Sequence, residues 1–358
     1  MHKRIDPFEF LYYIGYFVKK SYLLHRQKRL PCKVISVGNI TVGGTGKTPT
    51  TIALALEAKK KGLQPVILTR GYKGNAKEPI LINFPLKQTI DKGSATEMSP
   101  ATLGDEAFMM VEKLKDVPLV KFPDRYKGGT LAFDALKQYF HIHQIVFILD
   151  DGFQHWGLYR DIDIVLVDGI NPFGNRKMLP FGVLRELPRE LNRADIIVIT
   201  KVKNEELFNR LRLIAPNASI FSSEYKINRI KNLTGSSISI EEINNKRLYA
   251  FCGIAQPESF KKIITSISED FAYFNEFPDH YKYKEKDITN IKKKADKLKC
   301  DFIITTEKDM VKIKGFKSAD NILYIDLEIS IEQGFYEKVF SSKFSQSSPY
   351  KAPLRIKL

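Results

Sequence analysis

Apolar residues fall into two kinds of stretch along this chain: short runs with almost no polar interruption, and longer segments with a period near 3.6. Lys33–Val37 (KVISV) is β-type sequence, and the segment up to Lys60 sets Ala53, Leu54, Ala55, Leu56 and Ala58 among good helix formers. Pro65–Arg70, Pro118–Phe122, Gln144–Asp151, Asp161–Asp168 and Asp195–Thr200 are further short apolar runs. Amphipathic helices are predicted over 105–115 and from Asp124–Gly129 to Tyr139. Strands that are apolar throughout and alternate with helices predict an α/β fold with a parallel sheet covered on both faces.

The pattern changes between 218 and 246. Ile220–Ser223 and Ser236–Ile240 alternate like an exposed two-stranded ribbon, which predicts a β linker. A second, smaller α/β unit is then predicted. Its strands are Arg247–Cys252, Phe271–Phe277, Asp301–Thr306 and Asn321–Asp326. Its helices are Pro257–Ile267, Lys284–Leu298 and Ile331–Phe340. Residues 75–103 are polar and irregular and predict a hairpin and loop, after a turn at Gly71–Gly74. The tail, 341–358, is polar and basic.

The stretch that turns this pattern into chemistry joins the first strand to the first long helix: Gly38-Asn-Ile-Thr-Val-Gly-Gly-Thr-Gly-Lys-Thr48. Glycines between a strand and a helix let successive backbone N–H groups converge on an anion at the positive end of the helix dipole. Gly43, Gly44, Thr45 and Gly46 would form that cradle. Lys47 would reach the β- and γ-phosphates of a nucleotide, and the Thr48 hydroxyl would ligate Mg²⁺. The general motif wants its first glycine five positions before Gly46, where this chain has Thr41.

Composition narrows the partners. The 358 residues suffice for about two domains. The formal net charge is +16, which points to an acidic partner: an anionic membrane, a phosphorylated substrate or a nucleic acid. Cys32, Cys252 and Cys300 are widely spaced, giving no disulfide framework or zinc site and suiting a reducing compartment. No apolar run approaches the roughly 18–20 residues a membrane span needs, and no cleavable signal is evident, since Glu9 interrupts the only candidate. Residues 1–30 do combine an aromatic segment, Phe8–Val18, with Lys19, Lys20, Arg26, Lys28 and Arg29. That pairing predicts a helix lying in the interface of an anionic bilayer, the alternative being a terminal helix packed on the core.

Other candidate residues are weaker alone. Asp150 and Asp151 end an apolar strand, where a carboxylate beside a phosphate loop holds Mg²⁺ directly or through water. Asp105 opens a helix after Gly104 and reads either as an N-cap or as a carboxylate that accepts a hydroxyl proton. His280 reads as structural, or as a group that orients a carboxylate base across a closing two-domain cleft. His141 and His143 have metal-like spacing on a strand but lack a third ligand. The long connection from Gly169 to Arg193 carries Arg176, Lys177, Arg185 and Glu186, and connections this long are usually functional.

Together these blocks resemble the tetraacyldisaccharide 4′-kinase family, which makes lipid A in Gram-negative bacteria. The resemblance rests on Val37–Pro49, Thr69–Tyr72, Gly104–Glu106, Leu149–His155, Phe173–Asn175 with Leu179–Pro180 and Leu184–Glu186, Ala250–Ala255 and Thr306–Asp309. It covers about residues 33–310, and Thr41 fits the family's loop. It implies transfer of the ATP γ-phosphate to the 4′-hydroxyl of a tetraacyldisaccharide 1-phosphate lipid, with ATP and Mg²⁺ as cofactors. It also implies residue roles. Lys47 and Thr48 hold phosphates and metal. Asp105, aided by His280, is the base. Asp150, Asp151 and Glu186 supply the metal shell, with Asp151 also close to the chemistry. Arg125, Arg176 and Arg185 meet phosphates or substrate. The implied architecture is a membrane-associating helix (1–30), a P-loop kinase domain (31–217), a β-ribbon linker (218–246), a C-terminal α/β domain (247–340) and a basic tail (341–358). The protein is expected to be a monomer, peripheral on the cytoplasmic face of the bacterial inner membrane, with no nucleic-acid partner.

Two rival classes share the loop. A GTPase would carry Asn/Thr-Lys-x-Asp after a strand, but Thr200-Lys-Val-Lys203 lacks the Asp, and a partition-type ATPase would place a second Lys where this chain has Val42. A nucleic-acid-dependent ATPase is suggested by charge alone.

Overall fold

The computed structural model describes residues 7–70, 78–83 and 100–341. The chain opens with α1 (Pro7–His25), then β1 (Lys33–Asn39), α2 (Lys47–Lys60), β2 (Gln64–Thr69) and the short β3 (Ile80–Ile82). It continues through α3 (Pro100–Leu103), α4 (Asp105–Lys113), β4 (Leu119–Lys121), α5 (Arg125–Leu136), β5 (Ile145–Asp150), β6 (Ile162–Asp168), β7 (Ile196–Thr200) and α6 (Glu205–Ile214). The rest is β8 (Ser219–Lys231), β9 (Ser237–Ile238), α7 (Ile240–Ile243), β10 (Leu248–Cys252), α8 (Pro257–Ile267), β11 (Phe271–Glu276), α9 (Glu285–Lys297), β12 (Phe302–Thr306), α10 (Glu307–Ile313), β13 (Ile322–Ile331) and α11 (Phe335–Phe340). The turn expected at Gly71–Gly74, most of the loop expected over 75–103 and the tail beyond 341 lie outside the described residues.

Two compact units form. One holds 7–70, 78–83, 113–224 and 330–341; the other holds 100–112 and 225–329. Its boundaries therefore differ from a division in sequence order: α3 and nearly all of α4 cluster with the second unit.

In the first unit the strand order is β3-β4-β2-β5-β1-β6-β7-β8. The neighbours are parallel except β3, which runs antiparallel to β4. The apolar runs are buried on both faces, as β5 and β6 show along their whole lengths. Alternate residues feed two cores: Val34, Phe147 and Leu149 pack with Leu136 of α5, while Val165, Val167, Ile197 and Ile199 pack with Leu207 and Leu211 of α6. Period-two alternation of wholly apolar strands is what a sheet between two helical layers requires.

The second unit repeats the logic on a smaller scale, with β11-β10-β12-β13 all parallel. β10 sends Leu248, Ala250 and Cys252 into one core and Tyr249 and Phe251 into the other.

Several elements differ from the pattern reading. The expected ribbon is one long strand: β8 pairs with β7 at its start and antiparallel with β9 only at Ile230 and Lys231. α7 follows, fixed by a capping box between Ser239 and Glu242. β13 runs to Ile331, so α11 begins only at Phe335, after Gly334 with φ +87°. The pattern leaves α6 and α10 unassigned, although each has a side-chain cap, Asn204 to the Leu207 N–H and Thr306 to the Asp309 N–H. His141 and His143 lie at a single 3₁₀ turn rather than on a strand; both are exposed, and their rings stack 5.6 Å apart.

α1 is not a free rod. Tyr12 and Tyr13 pack against the core, and Tyr16 meets the buried Trp156 edge-on at 5.1 Å. Ile14, Phe17, Val18 and Tyr22 are exposed. Part of the aromatic run thus docks on protein, and a separate apolar set faces solvent. No described helix is long and apolar enough to cross a membrane.

Candidate active site

In the first unit, β1 delivers the chain to the glycine-rich loop. Gly43 (φ +118°) and Gly46 (φ +90°) take left-handed backbone that a side chain would resist. Gly46 also caps α2 without any side-chain acceptor, so the first N–H groups of α2 have no such partner. Two buried hydroxyls brace the turn: Thr45 Oγ1 accepts from Asn39 Nδ2 at 2.8 Å, and Thr50 Oγ1 donates to the Gly46 carbonyl at 2.9 Å. The Thr41 departure has a structural reason. Here the chain is extended and bridges antiparallel to Leu184, with the Val42 N–H on the Val183 carbonyl at 2.7 Å. A residue in a ladder needs no glycine.

That ladder brings the 169–193 connection to the loop. The Arg185 N–H donates to the Ile40 carbonyl at 2.8 Å. The Arg185 guanidinium then reaches Asp151, with Nη1 2.8 and 2.9 Å from its two oxygens, while Lys47 Nζ lies 3.7 Å from Asp151. Burial pushes the Asp151 carboxyl up, but Lys47 and Arg185, with Arg125 behind them, outweigh it and hold the group below the ordinary carboxylate range. Asp151 itself turns the chain with φ +50°.

Parallel pairing sets Asp150 beside Val37, at the loop's threshold. Asp150 is buried and accepts from Thr69 Oγ1 at 3.2 Å and Thr51 Oγ1 at 3.5 Å. Arg125, the first residue of α5, is only 4 % exposed. Burial lowers its pKa to about 10, against the opposing pull of Asp150 and Asp151, so it stays charged at neutral pH. Its Nη1 donates to the Pro123 carbonyl, and its buried Nε has no hydrogen-bond partner among the described residues.

Arg176 and Glu186 are placed differently. Arg176 is exposed on a left-handed turn and is not part of the Lys47–Asp150–Asp151–Arg125–Arg185 group. Glu186 is fully buried, and its two oxygens accept from Arg193 at 2.6 and 2.8 Å, Gln154 at 2.6 Å and Tyr16 at 2.6 Å. A carboxylate offers about four acceptor positions, and protein donors fill them here.

The donor set fits a nucleotide and a hard cation. A buried guanidinium with an orphaned Nε, a lysine at a helix N-terminus and uncapped helix N–H groups suit phosphate oxygens. The hydroxyl of Thr48 and the carboxylate of Asp150 are oxygen donors of the kind Mg²⁺ takes, a cation that keeps several waters and needs few protein ligands.

The second unit carries a separate polar cluster. Gly104 (φ +82°) turns into α4, and its carbonyl accepts the Phe108 N–H, so Gly104 holds the cap position and Asp105 is the first helical residue. This leaves the Asp105 carboxylate for other partners. Oδ2 lies 3.2 Å from His280 Nδ1 and 3.7 Å from Lys312 Nζ. His280 sits on a left-handed turn (φ +57°), and its side chain is half exposed. Both residues belong to one unit, so the domain closure expected to join them is not needed.

Lys308 and Lys312, one turn apart on α10, were not singled out from the sequence. Lys308 lies 3.6 Å from both Glu106 and Asp279. Lys312 also pairs at 2.9 Å with Asp309, which is fully buried and accepts from the Gly253 N–H and the Thr306 hydroxyl. The available signal was their i, i+4 spacing, with Lys308 inside the capping Thr306-x-x-Asp309 and Lys312 just after it.

Comparison with known proteins identifies the family. A sequence model of the family described as Tetraacyldisaccharide-1-P 4′-kinase matches residues 1–344. The Tetraacyldisaccharide 4′-kinase of Syntrophus aciditrophicus is 35% identical over 345 residues, 92% of this chain and 89% of that one. That of Halothermothrix orenii is 35% identical over 324 residues, 84% of this chain and 80% of its own. A crystal structure described as an "apo" form of LpxK from Aquifex aeolicus in complex with ATP superimposes with a TM-score of 0.68 at 28% identity. It covers 94% of this chain and 97% of that one. With a family match along nearly its whole length, relatives above 30% identity and a P-loop α/β fold, this chain belongs to the tetraacyldisaccharide 4′-kinase family.

Proposed function

We infer that this chain transfers the γ-phosphate of ATP to the 4′-hydroxyl of tetraacyldisaccharide 1-phosphate in lipid A biosynthesis. In the first unit the loop N–H groups and Lys47 bind the phosphates, and Arg125 and Arg185 stabilise charge that builds on them. Thr48 and Asp150 would hold Mg²⁺, which when bound neutralises phosphate charge. Asp151 keeps Lys47 and Arg185 in one orientation before substrate arrives. In the second unit Asp105 accepts the proton of the attacking hydroxyl, and His280 holds Asp105 in position.

Phosphoryl transfer depends mainly on positioning and electrostatics, so this set of groups is chemically sufficient. The observation that supports the acid–base assignment most directly is the 3.2 Å contact between Asp105 and His280. Lys312, 3.7 Å from Asp105, favours the ionised carboxylate that a proton acceptor requires.

We further propose that α1 lies in the interface of an anionic bilayer, on the cytoplasmic face of the bacterial inner membrane. Ile14, Phe17, Val18 and Tyr22 form its outward apolar set, and the surplus of positive charge contributes long-range attraction.

The test is radiolabelled ATP with tetraacyldisaccharide 1-phosphate in detergent micelles. Lipid-dependent transfer of label to the disaccharide is expected. ATP hydrolysis stimulated by DNA or RNA, with no label in lipid, would overturn the reading.

A further inference from the structure

A hydrogen-bonded chain links α1 to the phosphate site, and every member lies in the first unit. Tyr16 of α1 donates its hydroxyl to Glu186 Oε2 at 2.6 Å. Gln154 Nε2 donates to Glu186 Oε1 at 2.6 Å and to the backbone carbonyl of Asn39 at 2.8 Å. Asn39 braces the phosphate loop through Thr45. Gln154 Oε1 faces Arg185 Nη1 at 3.5 Å, and Arg185 is also the covalent neighbour of Glu186. A buried carboxylate satisfied from four directions cannot lose one donor without shifting or taking up water. Burial first, then the charges of Glu186 and Glu190, push the Tyr16 hydroxyl far above its usual range, so it remains a donor at working pH.

We propose that Tyr16 is a positioning residue for the phosphate site: it fixes Glu186, and through Glu186 and Gln154 it fixes Arg185 and the base of the loop. The inference rests on reading Lys47 and Arg185 as the phosphate-binding cations. Its functional content is a coupling. The helix that carries the outward apolar set is the same helix that completes the buried network, so correct seating of α1 and competence for phosphoryl transfer go together.

The test uses the full chain with ATP and tetraacyldisaccharide 1-phosphate in mixed micelles. Tyr16→Phe keeps the ring against Trp156 and leaves Ile14, Phe17, Val18 and Tyr22 untouched. Its kcat should fall about five- to tenfold, within the range of one ordinary lost hydrogen bond, while the lipid KM and partition onto anionic vesicles stay unchanged. Adding Tyr16→Phe to Gln154→Leu should cost little beyond Gln154→Leu alone, because residues on one chain of contacts are not additive. An unchanged kcat, losses that multiply in the double variant, or a raised lipid KM at constant kcat would each overturn the proposal. Wild-type protein without lipid-dependent turnover would overturn the kinase reading and this inference with it, whereas an active wild type with an unaffected variant overturns this inference alone.

Discussion

His280 Nδ1 lies 3.2 Å from Asp105 Oδ2, although the two residues are 175 positions apart in the chain. The contact exists because α4 is packed with the second unit rather than with its neighbours in sequence. If the pair accepts the substrate proton as one group, Asp105→Ala should lower kcat by about two to four orders of magnitude. His280→Ala should cost less, and the double variant should be little worse than Asp105→Ala. Steady-state kinetics of the three variants check this, with ATP affinity expected to stay near wild type. Two losses that multiply would sink the dyad and make Asp151 the next base to test.

Lys312 is 8 % exposed and pairs with a completely buried Asp309. Removing one partner leaves a buried charge without its counter-ion. Lys312→Met should therefore lower unfolding stability by about 3 kcal/mol, read by chemical denaturation, with Lys312→Arg recovering part of the loss. Equal stability of Lys312→Met and wild type would mean that the Gly253 N–H and Thr306 hydroxyl suffice for Asp309.

In the first unit Lys47→Ala removes the cation at the head of α2. Turnover should fall well below a tenth of wild type, which corresponds to about 1.4 kcal/mol of barrier. A variant keeping more than that under saturating ATP would refute the phosphate-binding role.

The Asp151 carboxyl gives a pH dependence with a definite sign. Its pKa in the folded protein lies below the ordinary 3.8, because Lys47, Arg185 and Arg125 together outweigh burial. A carboxyl with a depressed folded pKa stabilises the fold fully above its unfolded value and loses that contribution as pH falls through the folded one. The Tm should drop as pH falls below about 4, and in Arg185→Gln the drop should be shallower. With the Asp151 side chain 34 % exposed, the effect should also shrink in high salt. An identical Tm–pH curve for Arg185→Gln would disprove the coupling.

The two sides of α1 should respond differently to substitution. Replacing Ile14, Phe17 and Val18 by Gln should reduce sedimentation with anionic vesicles while leaving the fold and the buried Tyr16 contact in place. Vesicle binding and circular dichroism on the same sample separate the two effects. Full vesicle binding by this variant at moderate salt would move the anchor to another surface.

What the sequence makes legible here is local or doubly buried. The β1–loop–α2 unit and the strand ending at Asp150 stand out because glycine positions and apolar runs are short-range signals. The partners of Glu186 are not legible: its fate depends on Tyr16, 170 positions away, and nothing in either local pattern couples them. β8 is half exposed along most of its length, so its alternation suggested an isolated ribbon where one strand continues. α10 is only seven residues long, too short for a helical period to separate it from a polar strand end, and Lys308 and Lys312 stayed hidden with it.

The way the chain threads its two units has a consequence for synthesis. The second unit borrows 100–112 from within the sequence span of the first, and the first recovers 330–341 after the second is finished. Among those late residues, Phe335 packs on Phe221, and the Val339 carbonyl accepts from Lys33. As the polypeptide leaves the ribosome, β1 and its loop emerge early but wait for α11, and α4 waits for everything after β8. Neither unit can close its contacts until nearly all of the chain is out. Nascent α4, whose partners come almost entirely from beyond residue 224, is the segment whose apolar face stays uncovered longest in that interval.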